Sequence, residues 1–254
     1  MNFRDCTLCV FLSLFSSSEQ SGLFAEQVNT QHPNIIYILA DDLGIGDVGA
    51  FNSEGKIATP NIDRLTADGM KFTDAHSGSA VCTPTRYGIL TGRYAWRTRL
   101  ESGVLWGYSL PLISEGRMTV ASMLQQQGYN TGCIGKWHLG LKWTRKDANI
   151  PYTESSKELW NNYDLSKPIL SGPIQAGFDS WFGISASLDM HPYVYIQNDR
   201  ATSISTKLVQ SSRGKTFWRK GPIGDDFKHI EVLDKLTAKA VAYVTAQTAA
   251  KPFF

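Results

Sequence analysis

Asn34-Ile35-Ile36-Tyr37-Ile38-Leu39-Ala40-Asp41-Asp42-Leu43-Gly44 is the stretch on which the fold class turns. Ile35 to Ala40 is an unbroken β-branched and apolar run, the pattern of a strand buried on both faces of a parallel sheet. The run stops at two adjacent carboxylates. In open α/β sheets, sites lie beyond the carboxyl ends of the strands, which places Asp41 and Asp42 at that mouth. Neighbouring carboxylates repel, and holding both at a strand end is costly unless a cation compensates them. Hard divalent cations such as calcium select oxygen ligands of this kind. Taken alone, an Asp-Asp at a strand end is more often a cap or a solvated turn.

Outward from this stretch, strand-like and helix-like segments alternate. Thr59 and Pro60 form a cap-plus-proline helix start, and Gly69 ends that helix. Met70 to Ala75 reads as a second strand. Thr83 and Pro84 repeat the cap-plus-proline start, with Gly92 as the stop. Thr119 caps a helix through Val120, Met123 and Leu124 that closes at Gly128, and a strand from Tyr129 to Ile134 follows. Ile230, Leu233, Leu236, Ala240, Val241 and Val244 recur at three- and four-residue intervals, predicting an amphipathic helix of about five or six turns. Lys251-Pro252-Phe253-Phe254 reads as the start of another strand. The alternation predicts an α/β fold with a largely parallel sheet. Leu141 to Gly177 lacks periodicity and reads as a long surface excursion. No linker divides the remainder into two domains.

The chain has 254 residues, enough to bury a sizeable core. With 25 Lys+Arg against 23 Asp+Glu, its net charge of +2 gives no reason to expect a nucleic-acid partner. Residues 1–24 differ from the rest: Arg4 precedes the apolar Leu8 to Phe15, and Ser16-Ser17-Ser18 follow. That order describes a secretory signal peptide, too short for stable membrane insertion. The secretory route (extracellular, lysosomal or periplasmic) is therefore the expected location. Removing the leader with Cys6 and Cys9 leaves Cys82 and Cys133, for which a disulfide is the plain reading in an oxidising compartment.

The segment around Cys82 argues against that pairing. Cys82-Thr83-Pro84-Thr85-Arg86, followed by Leu90-Thr91-Gly92-Arg93, resembles the sulfatase family. It is similar to the stretch that the formylglycine-generating enzyme reads before oxidising the cysteine. Physically, Cys82 sits just before an expected helix start, where unpaired N–H groups and the helix dipole favour an anion. Arg86, one turn on, returns a planar fork to the same end. Gly135-Lys136-Trp137-His138-Leu139-Gly140, past the strand ending at Ile134, resembles a second sulfatase segment. There Lys136 supplies a positive charge and His138 a group that moves a proton near neutral pH. The family's metal-binding aspartates match Asp41 and Asp42. Asp47 reads as part of a structural turn.

The resemblance implies an alkaline-phosphatase-like α/β/α sandwich. It further implies that Cys82 becomes 3-oxoalanine (formylglycine), whose hydrated aldehyde attacks the sulfur of an aryl or sugar sulfate ester. Asp41, Asp42 and the modified Cys82 side chain would hold a calcium ion, with Arg86, Lys136 and His138 completing the catalytic set. Family members run to roughly twice this length, so residues 33–254 are expected to be an incomplete N-terminal catalytic domain, its C-terminal part missing, inactive alone. The sulfate-contacting histidine is expected beyond Phe254, which makes His191 a decoy, either lining the substrate pocket or sitting in a loop. Tyr193, Tyr195, His191 and Trp143 are candidate contacts for an aryl group or sugar. Gly177-Phe178-Asp179-Ser180-Trp181-Phe182-Gly183 is similar to sulfatase scaffold. The rivals are a phosphonate or phosphate ester hydrolase of the same superfamily, and a non-catalytic binding protein retaining the scaffold.

Overall fold

The computed structural model describes residues 32–152, 160–204, 207–214 and 216–254. The leader expected over residues 1–24 lies outside the described residues. Among the described residues no helix is long and apolar enough to cross a membrane.

Helix α1 (Pro60–Asp68) has proline in its first turn and Gly69 at its end, as the sequence predicts. Helix α2 (Cys82–Thr91) stops at Gly92, whose φ of 66° is left-handed and carries no Cβ penalty. Its start differs from expectation. The flanking residue is Val81, and Cys82 is the first helical residue. Thr83 is not a cap because its hydroxyl is spent over long range: it donates to His138 O at 2.9 Å and accepts from Leu105 N at 3.2 Å. Pro84 is tolerated inside the first turn, where its missing N–H would have had no intrahelical acceptor. Helix α3 (Val120–Gln126) has the expected cap: Ser122 N donates to Thr119 Oγ1 at 3.0 Å and Thr119 N to Ser122 Oγ at 2.8 Å.

Strand β1 (Gly132–Lys136) pairs in parallel with β2 (Ser180–Ile184), with Gly132 opposite Ser180 and Lys136 opposite Ile184. Beyond β2, the short β3 (Ile196–Gln197) and β4 (Arg200–Ala201) add antiparallel, giving the order β1-β2-β3-β4. On the other side of β1, Asn130 bridges in parallel to Phe253. Strands β5 (Lys207–Val209) and β6 (Gly221–Ile223) form a separate antiparallel pair. Helix α4 (Val232–Thr245) crosses β1 closely enough that a Cβ on Gly132 would fall 2.4 Å from the Tyr243 ring. The main core gathers Tyr87, Tyr108, Leu139, Trp143 and Trp181, and a second cluster joins Phe182, Tyr193, Tyr195 and Phe227.

Four expectations are corrected. The run Ile35 to Ala40 forms no assigned strand, and Ile36 and Ile38 are 60% and 80% exposed. Among the described residues its only ladder contact is at its beginning, where Ile35 N donates to Phe253 O at 2.8 Å. Composition suits it to a buried strand, but no neighbour among the described residues pairs with the rest of it. Met70 to Ala75 likewise forms no strand, and Met70 and Phe72 are exposed. The described residues of the Leu141 to Gly177 stretch are not simply a surface excursion: Leu141 and Trp143 are fully buried, and Tyr163 stacks on Tyr108 with ring centroids 4.5 Å apart. Described backbone groups in it bond to distant partners, as Lys142 N does to Ser171 O at 2.8 Å, so these residues pack without a periodic pattern. Helix α4 is 14 residues long, about four turns, shorter than expected. It buries Val232 and part of Leu236, leaving Leu233 and Val241 exposed.

Candidate active site

Three separate stretches deliver the expected residues to one place. The carboxyl end of β1 brings Lys136, and Trp137 and His138 follow directly. The first turn of α2 carries Cys82, with Arg86 one turn further along. The chain after Ala40 supplies Asp41. Lys136 Nζ lies 2.6 Å and Arg86 Nη2 2.9 Å from the same oxygen, Asp41 Oδ2. Arg86 Nη1 also donates to the Lys136 carbonyl, which ties α2 to the end of β1. The Thr83 hydroxyl adds a second tie to the His138 carbonyl. Cys82 is thus fixed next to the cationic pair through its own helix.

The electrostatics follow from these contacts. Burial works to raise the Asp41 carboxyl, but hydrogen bonds from Lys136, Asp42 and Arg86 outweigh it and hold Asp41 far below the usual carboxylate range. Asp42, hydrogen-bonded to Asp41 and repelled by its charge, is pushed up. His138 is completely buried, and burial together with Lys136 lowers its imidazole to about 4. Its Nε2 sits 2.7 Å from Leu105 O, an acceptor, so Nε2 carries the proton. Nδ1 is then an unprotonated acceptor, buried and without a hydrogen-bond partner among the described residues. The histidine expected to titrate near neutrality is a neutral base instead.

Cys82 and Cys133 are both free thiols. The structure therefore does not bear out a disulfide between them, and burial pushes the Cys133 thiol up to about 12, which disfavours its thiolate. Asp47 belongs to a single helical turn and accepts from Gly44 N at 3.2 Å, the structural role expected of it.

His191 is a packed residue: Tyr108 and Trp160 rings lie 5.6 and 5.5 Å away, and Cβ atoms on Gly107 or Gly221 would collide with it. Tyr193, Tyr195 and Trp143 are at most 1% exposed, so as candidate aryl or sugar contacts they are corrected to core residues. They carry polar handles inside the core, as when Trp143 Nε1 donates to Gly107 O at 2.9 Å. The residue that sequence reasoning missed is Thr83. Beside a proline it reads as a helix cap, and only the partner 55 positions away in His138 reveals its positioning role.

For a divalent cation, Asp41 and Asp42 are the right kind of donor. Among the described residues no group of three or more His, Cys, Asp or Glu side chains converges on one point. The pair therefore fits calcium in chemistry and supplies part of the roughly six to eight oxygens that this ion takes.

The comparisons with known proteins bear on the family and the fold. The family model described as Sulfatase matches residues 33–254. N-acetylgalactosamine-6-O-sulfatase of Bacteroides thetaiotaomicron is 40% identical over 176 residues, covering 69% of this chain and 31% of that protein. Human steryl-sulfatase is 45% identical over 122 residues, 46% of this chain and 21% of the relative. The chain therefore spans about a third or less of the length of these relatives. A solved Bacteroides thetaiotaomicron chain, described under the metabolism of multiple glycosaminoglycans, superposes with a TM-score of 0.71 at 31% identity. That match covers 89% of this chain and 50% of the other, and bears out the alkaline-phosphatase-like α/β class. The chain belongs to the sulfatase family.

Proposed function

We propose that this chain is the nucleophile-bearing part of an enzyme that hydrolyses sulfate esters of sugars or aryl alcohols. The observation that carries the reading is the meeting of Lys136 and Arg86 on Asp41, one helical turn from Cys82. Four features of one site then have a use: an oxidisable cysteine, two cations, a carboxylate pair and a buried neutral base.

Cys82, converted to 3-oxoalanine by a formylglycine-generating enzyme on the secretory route, is the nucleophile in its hydrated form. Arg86 and Lys136, both held on Asp41, supply positive charge that balances the negative charge of the transferring group. His138 takes a proton at Nδ1, the atom left open by the Leu105 bond. A calcium ion held by Asp41, Asp42 and the modified Cys82 side chain would supply Lewis-acid polarisation of the sulfate. The remaining ligands would come from water, the substrate and further protein groups.

Mass spectrometry of the tryptic peptide Phe72–Arg86 from secreted protein tests the first step. An aldehyde at Cys82 is expected; an unmodified thiol there overturns the nucleophile and favours a binding protein. In the full-length enzyme, Cys82→Ala should lower p-nitrocatechol sulfate turnover by about a thousandfold or more. A clear preference for the matched phosphate ester would move the assignment to the phosphate and phosphonate hydrolases.

A further inference from the structure

A second cationic site lies at the opposite end of α2 from Cys82. Arg93, Arg97, Arg99 and Arg117 line an open concavity of about 410 Å³ whose walls are mostly polar. Four guanidinium groups around one cavity repel each other unless an anion joins them. Arg99 is held in place, donating to the carbonyls of Leu110 and Pro111 at 2.5 and 2.9 Å. Arg93, Arg97 and Arg117 form no ion pair with any described residue. Their donors are therefore open to a ligand, and Arg is the side chain whose planar fork matches sulfate and carboxylate geometry.

Beside this concavity stands an aromatic platform. Tyr94 and Trp96 are 55% and 61% exposed, large apolar surface that folding has left in water. Their rings stack, 5.7 Å apart and 14° from parallel, and the Arg97 guanidinium lies over Trp96 at 5.5 Å. The platform is continuous with the loop leading to Cys82, because a Cβ on Gly78 would touch the Tyr94 ring at 3.7 Å. Flat aromatic faces take up the apolar face of a sugar ring, and the arginines beside them take up its acidic substituents.

We propose that this surface is an accessory site for an anionic, sulfated oligosaccharide, which it holds by arginine–sulfate pairs and by stacking on Tyr94 and Trp96. The proposal deepens the sulfate-ester reading: it makes the substrate a polymer longer than one residue. The ten residues of α2 put the platform about 15 Å from the nucleophile along the helix.

The test is equilibrium binding of a chondroitin sulfate hexasaccharide to full-length protein expressed without cysteine conversion, so that no hydrolysis intervenes. Hyaluronan hexasaccharide, single-stranded DNA of similar charge and inorganic sulfate serve as comparisons. The sulfated hexasaccharide should bind with an affinity that falls steeply with salt. Arg97→Gln/Arg117→Gln should weaken it at least about tenfold. Trp96→Ala should weaken the hexasaccharide while leaving inorganic sulfate unchanged. Both variants lie on exposed side chains, and unchanged thermal melting confirms that they fold. Hexasaccharide binding unaffected by either variant overturns the proposal, as does equal binding of hyaluronan or DNA. Turnover of p-nitrocatechol sulfate by the converted enzyme reports separately on the catalytic reading. Both variants should leave that turnover intact.

Discussion

The stretch from Ile35 to Phe72 and the stretch from Leu139 to Ile196 are both rich in large apolar residues, yet the chain treats them oppositely. In the first, Ile36, Ile38, Leu65 and Phe72 are each at least 60% exposed. In the second, Leu139, Leu141, Trp143, Val194 and Ile196 are at most 1% exposed. Hydrophobicity does not separate the two; partners do. Trp143, with no regular element around it, is enclosed by Tyr108 and bonded to Gly107. Ile38, in an ideal strand run, has no ladder beside it among the described residues. An apolar run records the capacity to be buried, and the neighbour decides whether the capacity is used. At the candidate site, Asp41 from the open stretch is held by Arg86 of α2 and Lys136 at the end of β1.

The largest expected effect tests that contrast directly. Trp143→Ala should destabilise the chain by about 3–5 kcal/mol, the usual cost of emptying an aromatic site in a core. Ile38→Ala, at a position 80% exposed, should stay within about 0.5 kcal/mol. Denaturant midpoints of the two variants measure the difference, and near-equal losses would show that the open stretch is buried in solution.

How far the sequence reaches differs between local and distant contacts. Local chemistry was readable: the left-handed stop at Gly92, the cap at Thr119, and the spacing that puts Arg86 one turn after Cys82 depend only on near neighbours. The site was readable as a set because each residue belongs to a contiguous segment. What escaped depends on distant contacts. The core packing of Trp143 and Tyr163, the exposure of Ile38, and the diversion of Thr83 to His138 have no period or signature in the chain. The protonation state of His138 escaped for the same reason, since it follows from a carbonyl 33 residues away and from complete burial.

An intermediate effect concerns pH. His138 and His191 are lowered from 6.5 to about 4 in the folded chain, by burial first and by nearby Lys136 and Arg219 second. Between those values the unfolded chain binds protons that the folded chain refuses, so stability rises with pH there and is complete above about 6.5. Acidification from pH 7 to pH 4.5 should therefore lower the denaturation midpoint. His191→Phe, which keeps an aromatic ring in the cavity, should flatten part of that dependence. A wild-type midpoint that does not move across this window would mean that the imidazoles are reached by water, and the packed stretch would be less closed than its burial implies.

The smallest effect compares two threonines in matching roles. Thr119 is 2% exposed; its hydroxyl accepts from Ser122 N and donates to Ala176 O at 2.6 Å. Thr59 precedes α1 in the open stretch and makes no bond to a helical N–H; it accepts from Gly49 N and donates to Asp63 Oδ1. Thr119→Ala removes a cap and also strands a buried carbonyl, for about 2 kcal/mol. Thr59→Ala removes contacts that water can replace, for about 0.5 kcal/mol. The side-chain chemistry deleted is identical, so the difference between the two losses isolates what the surroundings add. If the two variants unfold at the same denaturant concentration, enclosure is not what separates the halves of this chain, and the exposed apolar residues between Ile35 and Phe72 need another explanation.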